Sequence, residues 1–260
     1  MWRIIKAVLL LGPRIIYSYF AWIARYAKHP EKTPIEKRYG KLRNLIIRVI
    51  KKLKMDVIVI GKENIPTTNA CYFGNHLAVI DPLPYFQIMD KPIAFLGKIE
   101  IKKMPFAGKA LAAGDGLFLN RSDLKQELKI MMKVEDRLKE GKESYYIFAE
   151  GTRNKDNMAK LLPFHKGTFR AAMKANVPIV PTVNYGSFRI LKTHYSFKKY
   201  PTIVKILKPI MPEEYLGKST EEVASIVQSR IQKELSFSIR KLDDELMREQ
   251  NNKKYRFNQL

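Results

Sequence analysis

Cysteine is nearly absent: the 260 residues hold one, Cys71. No intrachain disulfide can form, which fits a reducing compartment. A lone thiol invites a nucleophile reading, but Cys71 falls in the apolar run Ala70-Cys71-Tyr72-Phe73, where it reads as a buried, inert side chain. Histidine is scarce too. His29, His76, His165 and His194 show no paired ligand spacing, so no metal site and no bound cofactor is expected. The nucleophile elbow Gly-x-Ser-x-Gly occurs nowhere. Acidic residues are few, 25 against 48 Lys and Arg, for a formal net charge of +23. That excess implies an anionic partner, and charge alone leaves nucleic acid and anionic lipid both open. No recognised nucleic-acid-binding motif is present, so nucleic acid is the lesser alternative.

An unbroken membrane-spanning run is also missing. The first 27 residues are rich in apolar and aromatic side chains, from Trp2 to Ile23, but Pro13 and Arg14 interrupt them. The stretch from Ile15 to Ala24 is shorter than the roughly 20 residues a span needs. Two short helices lying in a membrane interface fit better, with Trp and Tyr at headgroup level. A cleaved signal peptide is disfavoured, because the aromatic character continues past any cleavage site. Between Met1 and Met55 there are fourteen cations and only Glu31 and Glu36 as anions. Residues 1–54 are therefore expected to form a membrane-binding helical element on anionic lipid, at the cytoplasmic face of the cell membrane, peripheral or monotopic.

What is present beyond Met55 is alternation. Short β-branched or apolar runs at Val57–Ile60, Ala70–Phe73, Ile93–Leu96, Gly116–Leu119, Tyr145–Ala149, Ile179–Val183 and Ile203–Ile206 predict strands. Between them, Pro82–Met89, Lys125–Lys139 and Gly167–Ala175 predict helices. Ser219 with Glu222 makes a capping box for a long helix running through Leu242. The expected fold is α/β, a mostly parallel central sheet flanked by helices over residues 55–250, with a polar tail at 251–260. At 46% hydrophobic residues there is ample material for its core.

The segment Asn75-His76-Leu77-Ala78-Val79-Ile80-Asp81-Pro82 lies between a predicted strand and a predicted helix. His is suited to proton transfer near neutral pH, and a carboxylate partner fixes its tautomer. Five residues on a regular helix would set the two about 140° apart, so the chain must turn to join them. The plainer alternative is that Asp81 caps the following helix and His76 is a turn residue. Phe148-Ala149-Glu150-Gly151-Thr152-Arg153 ends a strand in a glycine turn with a guanidinium, a combination that can hold phosphate. Gly116 to Arg121 ends a strand in a second Arg, and Val177 to Thr182 is a strand bracketed by Pro178 and Pro181.

In this order the four segments resemble the four motifs of the glycerolipid acyltransferase family, specifically the 1-acylglycerol-3-phosphate O-acyltransferases. Gly61-Lys62-Glu63-Asn64-Ile65-Pro66 is similar to that family's lead-in. Lys98-Ile99-Glu100 with Pro105-Phe106-Ala107-Gly108 is similar to the stretch before its second motif. Asn120 stands where Asp is common and Ala149 where Pro is common; neither removes a reacting group. The resemblance covers roughly residues 55–185. It implies His76 as general base and Asp81 as its orienting partner. It implies Arg153 with Gly151 and Thr152 as the phosphate site, Arg121 and Lys98 as further phosphate ligands, and Asn75 and Glu150 as orienting residues. The implied reaction moves an acyl group from acyl carrier protein or acyl-CoA, as co-substrate, to the sn-2 hydroxyl of lysophosphatidic acid. A related acceptor, such as glycerol 3-phosphate or another lysolipid, is the alternative.

Overall fold

Apolar side chains at every position of a strand require cover on both faces, and that is the condition of the central strands here. The computed structural model describes residues 12–155, 158–192 and 198–249. Among them seven strands form one sheet: β1 Met55–Ile60, β2 Cys71–Gly74, β3 Ile93–Lys98, β4 Leu117–Leu119, β5 Ser144–Phe148, β6 Ile179–Tyr185 and β7 Tyr200–Ile206. Their order is β1-β7-β6-β2-β5-β3-β4. The expected mostly parallel sheet is therefore the one formed. Only β6 and β7 pair antiparallel, so β1 and β7 run against the other five. Every residue of β2, β5 and β6 is buried.

The sheet separates two cores. Alternate residues of a strand point to opposite faces. Cys71, Phe73, Tyr145 and Ile147 join Met131, Val134 and Leu138 of the Leu124–Glu140 helix, and Val223, Val227 and Ile231 of the Thr220–Ser236 helix. Tyr72, Tyr146 and Phe148 face the other way, among Ile23, Tyr26, Tyr39, Leu42 and Leu45. The last three belong to the Ile35–Lys52 helix, whose buried positions recur every three or four residues. Cys71 is fully buried and burial pushes its thiol far up, out of reach of nucleophilic chemistry.

The amino-terminal arm is described only from residue 12; the part of the expected interfacial element at 1–11 lies outside the described residues. Residues 12–28 form one helical run with a π-turn at Tyr19–Ile23. Ile23 and Tyr26 pack inward, while Ile16, Tyr17 and Phe20 are exposed. Among the described residues no helix is long and apolar enough to cross a membrane.

The expected long carboxy-terminal helix is capped as foreseen, with both capping-box bonds formed. It breaks, however, at Phe237 into Thr220–Ser236 and Ser238–Glu249. Its apolar spacing continues across the break, which is why sequence periodicity did not show it. The Ser238 hydroxyl turns back onto the Glu234 carbonyl and carboxylate. The second helix then sets Asp243 against Arg189 in a bidentate pair, one bond at 2.7 Å and both residues buried.

Arg38, one of the cations counted toward a basic surface, is buried. It donates to Asp115 at 2.6 Å, to the Ala113 carbonyl at 2.7 Å and to the Thr33 carbonyl at 2.8 Å. Arg137 bridges the same Asp115 carboxylate at 3.2 Å and Glu143 at 2.9 Å. This cluster pins the Ile35–Lys52 helix to the sheet. Removing one partner of a buried pair leaves an uncompensated charge, at about 3–5 kcal/mol. Arg38→Ala should cost about 3 kcal/mol, the low end, because Arg137 still reaches Asp115. Urea midpoints measure this, and a loss below about 1 kcal/mol would show that Arg137 alone neutralises the carboxylate.

Candidate active site

The carboxyl ends of β2, β5 and β6 meet at the middle of the sheet, where open α/β sheets place their ligands. β2 ends at Gly74, and a side chain there has no room. A Cβ would lie 1.9 Å from the Tyr146 hydroxyl and 2.5 Å from Thr182 Oγ1. Beyond it the backbone leaves the sheet and turns, bringing Asp81 back to His76.

Asp81 Oδ2 lies 2.9 Å from His76 Nδ1. The same oxygen accepts the backbone N–H groups of Leu77 at 2.7 Å and Ala78 at 2.8 Å, and the Ser187 hydroxyl donates to Oδ1. The carboxylate has 0% side-chain exposure and the imidazole 18%. Asp81 does not cap the following Leu83–Ile88 helix, so the plainer reading of this segment fails. An ionised carboxylate only accepts, so Nδ1 of a neutral His76 is the donor and Nε2 keeps the lone pair. One face of the imidazole stacks on Phe148, with centroids 4.1 Å apart.

The turn after β5 is stitched to the same histidine. Glu150 accepts the His76 N–H at 2.8 Å through one oxygen and the Leu162 N–H at 2.8 Å through the other, and Asn154 N–H donates to the His76 carbonyl at 2.8 Å. Burial raises the Glu150 pKa, against the opposing pull of these two N–H groups and of His76. With both oxygens occupied, Glu150 is a brace for the turn. Gly151 has φ +67°, and a Cβ there would fall 1.7 Å from Arg121 Nη1. The guanidinium of Arg121 thus lies directly against Gly151, which joins the second and third predicted segments. Arg153 and Thr152 are exposed, one or two residues before Asn154. Lys98 ends β3 in register with Leu119, exposed. Arg121, Arg153 and Lys98 have no carboxylate within ion-pair distance among the described residues. His165 lies near Arg121; burial, then the Arg121 charge, lowers its pKa.

Beneath these groups is a buried polar network that sequence reasoning found only in part. Asn75 exchanges hydrogen bonds with Asn184: Asn184 N–H to Asn75 Oδ1 at 2.8 Å, and Asn75 Nδ2 to the Asn184 carbonyl at 2.9 Å. Asn184 Nδ2 donates to the Asn75 carbonyl and to the Tyr146 hydroxyl, each at 2.9 Å, and Tyr85 donates to Asn184 Oδ1 at 2.9 Å. Tyr146 bonds Thr182 Oγ1 at 2.7 Å. Burial pushes the Tyr146 phenol up to about 12, so the network is neutral. Asn184 follows Thr182 by two residues on one strand, a period-2 signal that was available. Ser187 and Tyr85 carried no signal. Among the described residues no group of three or more His, Cys, Asp or Glu could hold a metal.

Residues 56–184 match the family model described as Acyltransferase. Through this segment the chain belongs to the acyltransferase family. Over 180 residues it is 30% identical to the 1-acyl-sn-glycerol-3-phosphate acyltransferase of Saccharomyces cerevisiae, covering 69% of this chain and 59% of the yeast protein. It is 26% identical to the Haemophilus influenzae protein of the same name, over 94% of both chains. Its fold matches the crystal structure of the 1-acyl-sn-glycerophosphate (LPA) acyltransferase from Thermotoga maritima. That match has a TM-score of 0.67 and 24% identity, over 90% of this chain and 96% of that one.

A hydrogen bond to a buried charge contributes about 1.5–3 kcal/mol. Ser187→Ala should therefore destabilise the fold by about 2 kcal/mol, while Ser187→Thr, which keeps the hydroxyl, should restore most of it. Equal midpoints for the alanine variant and the parent would show that Asp81 Oδ1 finds another donor.

Proposed function

We propose that this protein transfers a fatty acyl group from a thioester to the sn-2 hydroxyl of 1-acylglycerol 3-phosphate, giving phosphatidic acid. The observation that carries the reading is the His76–Asp81 bond at 2.9 Å, held by three further donors on the carboxylate. Relatives named for this activity support the choice of acceptor.

His76 Nε2 takes the hydroxyl proton as the alcohol oxygen attacks the thioester carbonyl. Asp81 stabilises the imidazolium that forms. The tetrahedral intermediate collapses, the C–S bond breaks, and the imidazolium returns the proton to the leaving thiolate. A thioester is already activated, so no acyl-enzyme is needed. Arg153 with Gly151 and Thr152 binds the acceptor phosphate, and Arg121, packed on Gly151, is well placed to share it; Lys98 is a further cation at the rim. The protein needs no resident cofactor; acyl carrier protein or CoA carries the acyl group in. Residues 1–54 rest on anionic lipid at the cytoplasmic face of the membrane. The exposed Ile16, Tyr17 and Phe20 among nearby cations support that placement.

In an acyl-transfer assay with lysophosphatidic acid, His76→Ala should lower kcat by ~10²–10⁴-fold with lysolipid binding retained. Arg153→Ala should mainly raise KM for the phosphorylated acceptor, by about 10-fold, leaving kcat nearly intact. Normal turnover by His76→Ala would refute the assignment.

A further inference from the structure

The Leu124–Glu140 helix buries Met131, Val134 and Leu138 but leaves Leu124, Leu128 and Met132 exposed at four-residue spacing, 69%, 49% and 62% respectively. Isolated exposed apolar side chains are ordinary; three on one stripe of an otherwise amphipathic helix mark a contact surface. Beside the stripe runs a groove of about 560 Å³, closed on its far side by the Arg170–Ala175 helix and the 215–218 turn, where Leu216 is 82% exposed. Arg170, Lys174 and Lys218 line it, and Glu127 is the single acidic lining residue. No carboxylate lies within ion-pair distance of these three cations among the described residues.

One end of the groove lies near the candidate active site: Glu127, on its wall, is within electrostatic reach of Arg121 and His165, and Arg121 lies against Gly151. The groove is also on the sheet face opposite the amino-terminal helix. Met131 shares a core with Cys71, Phe73 and Ile147, whereas Ile23 and Tyr26 share theirs with Tyr72, Tyr146 and Phe148. If the arm rests on lipid, this groove is turned from the bilayer.

The geometry points to this groove as the docking surface for the acyl donor when the donor is a small acidic carrier protein, one of whose helices lays an apolar stripe on Leu124, Leu128 and Leu216 and acidic side chains on Arg170, Lys174 and Lys218. The inference rests on the acyl-transfer reading above and names the donor that it left between two carriers. Apolar walls rimmed by dispersed cations suit a helix with an acidic flank. A nucleotide's phosphates would need convergent donors, and those sit at Arg121, Gly151 and Arg153 instead.

The test uses the full chain with the same acyl group on two donors, an acidic carrier protein and CoA, at low and high salt. Lys174→Glu/Lys218→Glu reverses two charges at solvent-exposed positions and touches none of the proposed catalytic or phosphate-binding residues. It should lower kcat/KM for the carrier thioester by ~10-fold or more, and flatten its salt dependence. It should leave kcat/KM for acyl-CoA within about 2-fold, which also reports an intact fold. Leu128→Ser should show the same split. An equal loss with both donors, no loss with either, or a carrier thioester that the parent protein does not accept would each overturn the docking surface. A parent protein inactive with both donors would instead remove the acyl-transfer reading beneath it.

Discussion

A carboxylate without exposure must satisfy both oxygens inside the protein, and Asp81 does so with four donors: one imidazole nitrogen, two backbone amides and one hydroxyl. The amides come from the loop that follows His76, so the loop's shape and the carboxylate's position define each other. The hydroxyl comes from Ser187, just past β6, which ties the pair to the far side of β2. His76 is in turn fixed through its own backbone by Glu150 and Asn154 from the turn after β5. An imidazole held this way has little freedom left to lose, the condition under which general-base catalysis, as proposed for His76, is efficient. Take away the Asp81 carboxylate and the loops after β2 and β6 lose their common anchor.

The sheet explains why these ends can meet. β5 and β6 flank β2 in parallel, so all three carboxyl ends point to one edge. The tight approach of Tyr146 and Thr182 to Gly74 removes space that water would otherwise occupy. The Asn75–Asn184 exchange closes the gap between β2 and β6 with a neutral, fully bonded network. The network itself adds no charge beside Asp81 and Glu150.

Much of this was legible in the sequence, and the reasons differ by residue. The strands could be read because a sheet covered on both faces demands runs such as Tyr145-Tyr146-Ile147-Phe148, which no amphipathic helix would tolerate. His76 and Asp81 could be paired because their residue types, and a resemblance spanning four ordered segments, pointed to one chemistry. Spacing alone would not have done it, since five residues suit contact only after a turn whose hydrogen bonds are tertiary. Ser187 was invisible because a hydroxyl 106 residues away from its acceptor carries no local pattern. The break at Phe237 was hidden for the same reason: the helix bends to satisfy the buried Arg189–Asp243 pair, a long-range demand.

The two cationic settings in this chain divide along the same line of burial. Arg38, Arg137 and Arg189 are paired with carboxylates and held inside or at half depth, where an unpaired charge would be costly. Among the described residues Arg121 and Arg153 stay at the surface with no carboxylate within ion-pair distance, beside a turn whose glycine admits one guanidinium against its backbone. Cations without a carboxylate partner are available to an anion from outside, and their place at the edge that also carries His76 would put that anion beside its imidazole. These five arginines thus fall into two groups. One is neutralised inside the fold; the other leaves charge open at the sheet edge that carries His76.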